Sequence, residues 1–389
     1  MKFLKQIIIG LLILTFFSCQ AETKEISKII DEVKKEFAPD SRVAIFDISF
    51  ETNGNKTVLT GETNLQSATN TLLKKLERID VKDKIVVLPA SELGEEIYGI
   101  INVSVCNIRS KPKSASELST QSLLGHTLRL YKKNDLYYAQ TTDNYLGWIN
   151  KNEFIATNKA EYTEWQNAKK IIFTDDFGFS YSDANTNSRR VSDLVMGNLL
   201  KFIETKDEFY KVEYPDGRRA FVPVNQCEEF EKWKIETKPN AEDILNTAYR
   251  FVGNPYLWGG TSAKMLDCSG FSKLVYFMNG ILLPRDASQQ VFVGETIIEN
   301  VEEYEKLKPA DLVFFGVNRD GKERITHVGI YIGDGKYIHQ KGPVVMNSFK
   351  KSDPDFNEYR YNHFKRGQRV ISSVGKNGVK LVRECEFYK

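Results

Sequence analysis

The sequence is poor in the residues that build metal and redox centres. Its 389 residues hold 5 cysteines and 4 histidines, and no two cysteines stand in a CxxC spacing. Structural zinc and thioredoxin-like chemistry are therefore not expected. The cysteines are also too scattered for the dense disulfide framework of small exported domains. Cys106 and Cys227 lie in strand-like contexts and read as small core residues. An excess of one charge is missing as well, with 54 basic against 52 acidic residues. Lys2 and Lys5 lie in a segment with the features of a cleaved leader, and without them the count is 52 of each. That balance argues against nucleic-acid or anionic-membrane binding driven by overall charge. Past residue 18 no apolar run is long enough to span a bilayer. What is abundant is packing material: 41% hydrophobic and 12% aromatic residues, in a length that predicts two to four domains.

The first eighteen residues read as an export signal. Lys2 and Lys5 precede Ile7 to Phe17, an apolar run of eleven residues that suits a signal peptide and is too short for a membrane span. It ends in Phe16-Phe17-Ser18-Cys19, which resembles a bacterial lipobox with Phe16 where leucine is usual. The resemblance implies that Cys19 carries lipid, and that the exported chain faces the periplasm or cell envelope on a lipid anchor.

Residues 19–98 read as a small α+β domain, with helices at Ile26–Phe37 and Leu65–Leu76 and strands at Arg42–Phe50, Thr57–Thr60 and Ile85–Leu88. An Asn53-Gly54-Asn55 turn joins the first two strands. Residues 99–160 and 161–236 read as two copies of one β-rich module. A shift of 72 positions aligns Gly125 with Gly197, Leu128 with Leu200, Asp135 with Asp207 and Tyr138 with Tyr210. Short alternating strands between polar turns predict small β-barrels. A charged, polar linker at about 231–240 leads into the last domain, residues 237–389.

That domain carries the chemistry. Ala241–Val252 reads as a helix, followed by the loop Pro255-Tyr256-Leu257-Trp258-Gly259-Gly260 and by Asp267-Cys268-Ser269-Gly270-Phe271. Phe271, Leu274, Val275 and Met278 then recur at helical spacing, which places Cys268 at or just before a helix start. Unpaired N–H groups and the helix dipole there favour thiolate. A cysteine nucleophile needs a base and a group to orient it. His327 lies in the strand Ile325–Ile332, and His339 in a returning strand after Gly333-Asp334-Gly335. A two-residue turn at Asp334-Gly335 puts the two imidazoles on opposite faces, whereas an odd loop or a bulge near Gly333 sets them side by side on one face. His126 and His363 lack such context and read as surface residues.

Tyr-Leu-Trp-Gly-Gly at 256–260, Asp-Cys-Ser-Gly-Phe at 267–271, Thr-His-Val-Gly-Ile-Tyr at 326–331 and the later His339 resemble the NlpC/P60 family of cysteine peptidases. Val105–Arg109 and Gly147–Ile149 resemble the opening and closing strands of a bacterial SH3 (SH3b) domain, and Ala220–Pro223 takes the closing place in the second copy. The combination is similar to the γ-D-glutamyl-L-diamino-acid endopeptidases (YkfC-like, dipeptidyl-peptidase VI), which cut the stem peptides of bacterial cell wall. The implied fold is α+β: a papain-like catalytic domain preceded by two SH3-like barrels and the small N-terminal domain. The resemblance implies Cys268 as nucleophile, His327 as base, His339 as orienting residue and Tyr256 as a group that polarises the scissile carbonyl. It also implies substrate contacts at Asp267, Ser269 and Trp258, and an amine site formed by Asp286 with Glu117 and Tyr145 of the first SH3b module.

Arg285-Asp286 matches an Arg-Asp-Ser pattern in which Ala287 replaces the serine; an exposed salt pair is the plainer reading. Gln340 is a second candidate for orienting His327. No cofactor or metal is implied, the expected partners are peptidoglycan stem peptides rather than nucleic acid, and a monomer is expected. Two other functions share these residues: an N-acetylmuramoyl-L-alanine amidase or acyltransferase of the same fold, and a non-catalytic wall-binding lipoprotein.

Overall fold

The computed structural model describes residues 22–53 and 56–388. The leader, Cys19 and most of the Asn53-Gly54-Asn55 turn lie outside them. Among the described residues no helix is long and apolar enough to cross a membrane. The chain divides into two compact units, one ending at Gly94 and including Leu130–Lys133, the other holding Glu95–Arg129 and Asn134–Lys389.

In the first unit a helix over 22–37 buries Ile26, Ile30 and Val33 against Leu59, Ala68, Leu72 and Leu76. The strands Phe46–Asn53 and Lys56–Thr63 form an antiparallel hairpin. The helix Gln66–Lys75 then carries the chain over to Val81–Val87, which joins the sheet in parallel. Such a crossover needs a connecting element of this length. The unit is α+β, as its sequence pattern implies.

In the second unit the two copies form two seven-stranded sheets of matching strand order. The first barrel runs Phe154–Thr157, Tyr98–Ile101, Thr127–Lys133, Tyr137–Gln140, Leu146–Ile149, Val105–Arg109, Leu118–Leu123 in hydrogen-bonded order. The second runs Cys227–Glu229, Lys170–Phe173, Leu199–Lys206, Phe209–Glu213, Arg219–Pro223, Phe177–Tyr181, Arg190–Val195. Shifted by 72, Val105–Arg109 becomes Phe177–Tyr181 and Leu118–Leu123 becomes Arg190–Val195, residue for residue. Between the barrels, the helix Lys159–Asn167 starts in a capping box of Asn158 and Glu161.

Two expectations about this region need correction. Most of the charged stretch read as a linker is the helix Phe230–Glu236, which buries Phe230 and Trp233. Its exposed charges hide two aromatics one helical turn apart. His126 is not a surface residue. It is 6% exposed, with Nε2 3.0 Å from the Gly197 carbonyl and Nδ1 3.0 Å from the Tyr388 hydroxyl. Burial there pulls its pKa down to about 4. His363, by contrast, stacks on Tyr359 in an open position.

The last domain is built on a six-stranded antiparallel sheet in the order Glu295–Ile298, Phe364–Arg369, Leu312–Arg319, Lys322–Gly333, Lys336–Gln340, Val344–Ser348. Strand alternation sorts its side chains. Leu312, Phe314, Val328, Ile330 and Ile338 pack with Phe271, Leu274 and Val275 of the helix Cys268–Phe277. Val313, Phe315, Tyr331 and Tyr337 form a second core with Phe349 and Phe364.

Candidate active site

Cys268 is the first residue of its helix, and Asp267 caps it by accepting from the Gly270 N–H at 2.7 Å. The thiol is 8% exposed. The backbone N–H of Ser269 at the helix start and that of Val328 in the strand Lys322–Gly333 point at its sulfur. Burial first, and then the adjacent Asp267 carboxylate, outweigh them and push the thiol up to about 11. A thiolate at rest is therefore not what this site holds, contrary to the expectation from the helix start alone. The capping carboxylate that defines the helix start also opposes the dipole there.

The histidines are set by the hairpin. Asp334 and Gly335 both have positive φ (52° and 76°), as a two-residue hairpin turn of the primed type requires. By itself that turn separates the imidazoles onto opposite faces. A bulge between Tyr331 and Gly333 inserts one residue and restores a common face. Ile330 pairs with Ile338, so His327 and His339 are diagonal neighbours rather than directly opposite. Their rings meet edge to face, with His327 Nε2 2.7 Å from His339 Nδ1.

The hydrogen-bond chain fixes the tautomers. His339 Nε2 lies 3.0 Å from Asn347 Oδ1. That same oxygen accepts from Asn357 Nδ2 at 3.1 Å, while Asn347 Nδ2 donates to the Asp355 carbonyl at 3.2 Å. An amide oxygen only accepts, so His339 carries its hydrogen on Nε2 and accepts on Nδ1. His327 must then donate from Nε2, which leaves the lone pair of its Nδ1 as the basic site. Burial is the main reason both rings stay neutral, His339 being lowered to about 3 and His327 well below its ordinary value. Asn347 was missed in the sequence because its role depends on strand register. Gln340, the other candidate orienter, instead donates to the carbonyls of Asn254 and Pro255 and anchors the Tyr256 loop.

Tyr256 stands at the surface of that loop, 36% exposed, with its pKa raised first by burial and then by its neighbours Cys268 and Asp267. It is a neutral O–H donor at any physiological pH. Trp258 is 63% exposed, and its Nε1 donates to Glu117 at 2.7 Å. The next residue, Gly259, has φ +83° and so little room that a Cβ would meet the Leu118 carbonyl oxygen at 2.4 Å. Only glycine lets the loop lie this close to the barrel.

Asp267 and Ser269 are placed as framework. The Asp267 oxygens accept from Gly259 N, Gly270 N, Ser269 Oγ and both terminal nitrogens of Arg285. A carboxylate with five donors has no lone pair to offer a substrate. Ser269 Oγ in turn accepts from Arg285 at 3.0 Å. Arg285 is 2% exposed and also reaches Thr120 Oγ1 of the first barrel at 3.0 Å. It is thus a buried group paired with Asp267, neither exposed nor paired with Asp286. Asp286 accepts from the Tyr145 hydroxyl at 3.0 Å.

The NlpC/P60 family profile matches residues 253–366, and that of the bacterial dipeptidyl-peptidase SH3 domain matches residues 108–154. A γ-D-glutamyl-L-lysine dipeptidyl-peptidase of Bacillus cereus is 30% identical over 235 residues, which cover 58% of this chain and 68% of that protein. The dipeptidyl-peptidase 6 of Lysinibacillus sphaericus is 24% identical over 66% of this chain and 93% of its own length. The crystal structure of an NlpC/P60 protein from Bacillus cereus shares the fold, with a TM-score of 0.59 at 24% identity over 70% of this chain and 99% of that one. With a profile match that spans the Cys268 helix and the histidine hairpin, and an SH3 match upstream of it, the chain belongs to the NlpC/P60 family of cysteine peptidases.

Proposed function

We propose that the protein hydrolyses the γ-D-glutamyl–diamino-acid bond of peptidoglycan stem peptides that carry a free N-terminal L-Ala. Cys268 attacks the scissile carbonyl while Nδ1 of His327 takes the thiol proton and returns it to the leaving amine. Water then hydrolyses the thioester. His339 and Asn347 hold His327 in the tautomer this requires, and the Tyr256 hydroxyl donates to the developing oxyanion. The hydrogen-bonded run Asn347–His339–His327 beside the capped Cys268 helix carries the reading. The relatives named for γ-D-glutamyl-L-lysine cleavage support the substrate class. Mass spectrometry of L-Ala-γ-D-Glu-diaminopimelate digests should find the Ala-Glu dipeptide and free diaminopimelate. Intact tripeptide after prolonged incubation would reject the assignment.

The amine end is assigned to Asp286, held by Tyr145, and to Glu117, held by Trp258. A charge-assisted hydrogen bond between ammonium and carboxylate contributes roughly 1.5–3 kcal/mol. Acetylating the amine removes that charge-assisted bond and adds a bulky group at the same place. The kcat/KM ratio of free to N-acetylated tripeptide should be at least about ten, equivalent to about 1.4 kcal/mol. Asp286→Asn should shrink it, and a ratio near one in the wild type would refute the amine site. The enzyme then trims released peptides in wall turnover or recycling, acting as a monomer on a lipid anchor at the envelope. Cys19→Ser should release it from membranes or trap its precursor, and unchanged lipid labelling of that variant would reject the anchor.

A further inference from the structure

One cation at the site has no anionic partner. Arg360 stands in the short helix Glu358–Asn362, directly after Asn357, which bonds Asn347 and so braces the histidine relay. Its guanidinium lies over the Phe315 ring, 5.4 Å from the centroid, and 5.5 Å from that of Tyr359. Phe315 is the cross-strand partner of His327, and their rings are 5.8 Å apart. Arg360 Nε is buried without a hydrogen-bond partner, and among the described residues no carboxylate lies within ion-pair distance of this side chain. By comparison, Arg285, Arg366 and Arg369 near this sheet each pair with a carboxylate. A half-buried, unpaired guanidinium costs desolvation energy without a compensating ion pair. Its charge also reaches the catalytic cluster, where it helps to keep His327 and His339 neutral.

We propose that Arg360 binds a carboxylate of the substrate, and that this carboxylate is the free α-carboxylate of the leaving residue. The inference rests on the peptidase reading above and extends it to the leaving-group side. His327 must reach the leaving nitrogen to protonate it, so the leaving residue lies along His327. Arg360 sits on the ring packed against that histidine. In a peptide that ends at the leaving residue, the α-carboxylate is two bonds from the leaving nitrogen. A planar guanidinium can take it through two parallel N–H bonds. Arg360 is therefore a specificity residue for peptides that end at the diamino acid. A γ-linked glutamate offers a second α-carboxylate, on the acyl side, and the test separates the two.

Three substrates are compared with the full-length wild type, Arg360→Gln and Arg360→Lys: L-Ala-γ-D-Glu-L-Lys, its C-terminal amide, and the analogue in which the glutamate α-carboxylate is an amide. Product masses are read first. If the wild type does not cut the free tripeptide at the γ-bond, the function itself fails and the role of Arg360 falls with it. With cleavage established, the wild type should prefer the free acid to its C-terminal amide by at least about tenfold in kcat/KM. Arg360→Gln should lose about that factor on the free acid and on the glutamate-amide analogue, but little on the C-terminal amide. Arg360→Lys should recover part of the preference. An equal loss on all three substrates would mean a merely structural residue and would overturn the proposal. So would an unchanged acid-to-amide ratio, or a loss confined to substrates with a free glutamate carboxylate.

Discussion

Cys268→Ala should lower kcat by at least about 10⁴-fold, the scale seen when the nucleophile of a coupled catalytic unit is removed. The fold should survive the change. The side chain is small, its neighbours Leu266, Phe271 and Val328 belong to one continuous core, and Asp267 keeps its cap. His327→Ala should come close to the same loss, because the thiol is held protonated by burial and by Asp267 and must hand its proton to a base during attack. His339→Ala should be milder: it removes the acceptor that holds the His327 hydrogen on Nε2, but not the basic nitrogen itself. Asn347→Ala should resemble His339→Ala in kind and be smaller in size. The decisive measurement is single-turnover hydrolysis of the tripeptide by the four variants, with circular dichroism to confirm folding. Substantial turnover by Cys268→Ala would sink the cysteine mechanism, and an iodoacetamide-resistant wild type would point the same way.

The sequence patterns carry the elements and the identity of the reacting groups further than they carry the connections between them. The Cys268 helix was legible because an apolar 3.6-residue period begins three residues after an aspartate–cysteine pair, and helix capping is local. The two barrels were legible because a 72-residue shift aligns turn and core residues, even where the second copy has drifted. The histidine hairpin was half legible. Parity arguments require an odd loop or a bulge for the two rings to share a face, but only the observed pairing shows which it is and that they sit on a diagonal. Long-range partnerships were opaque. Asn347, Arg360, Gln340 and the Asp267–Arg285 pair all depend on which strands and loops meet, and no local period encodes that. His126 illustrates the same limit: its burial depends on Gly197 in the second barrel and on Tyr388 near the chain's end.

The Asp267–Arg285 pair leads to the second large effect, on stability rather than chemistry. Both residues are buried, at 6% and 2% exposure, and the arginine is held by two Asp267 oxygens, Ser269 and Thr120. Burial alone would lower the Arg285 pKa, but the aspartate raises it beyond its ordinary value, so the guanidinium stays charged. Removing one partner strands the other charge in a low-dielectric site, and breaking such pairs costs about 3–5 kcal/mol. Arg285→Leu should therefore lower unfolding stability by about that amount, with the loss centred on the peptidase domain and its seam with the first barrel. Asp267→Asn should cost at least as much, because it strands the Arg285 charge and turns an amide NH2 toward the Gly259 N–H and the guanidinium. The amide oxygen can still accept from Gly270, which preserves the helix cap. In the double variant no buried charge remains, so it should be more stable than Arg285→Leu alone by at least about 1 kcal/mol. Urea unfolding of the full chain, followed by tryptophan fluorescence and by protease susceptibility, measures the three variants against the wild type. If Arg285→Leu shifts stability by less than about 0.5 kcal/mol, or the double variant is simply the sum of its parts, the pair is not the clamp between the Cys268 helix, the Gly259 loop and the barrel that its contacts describe.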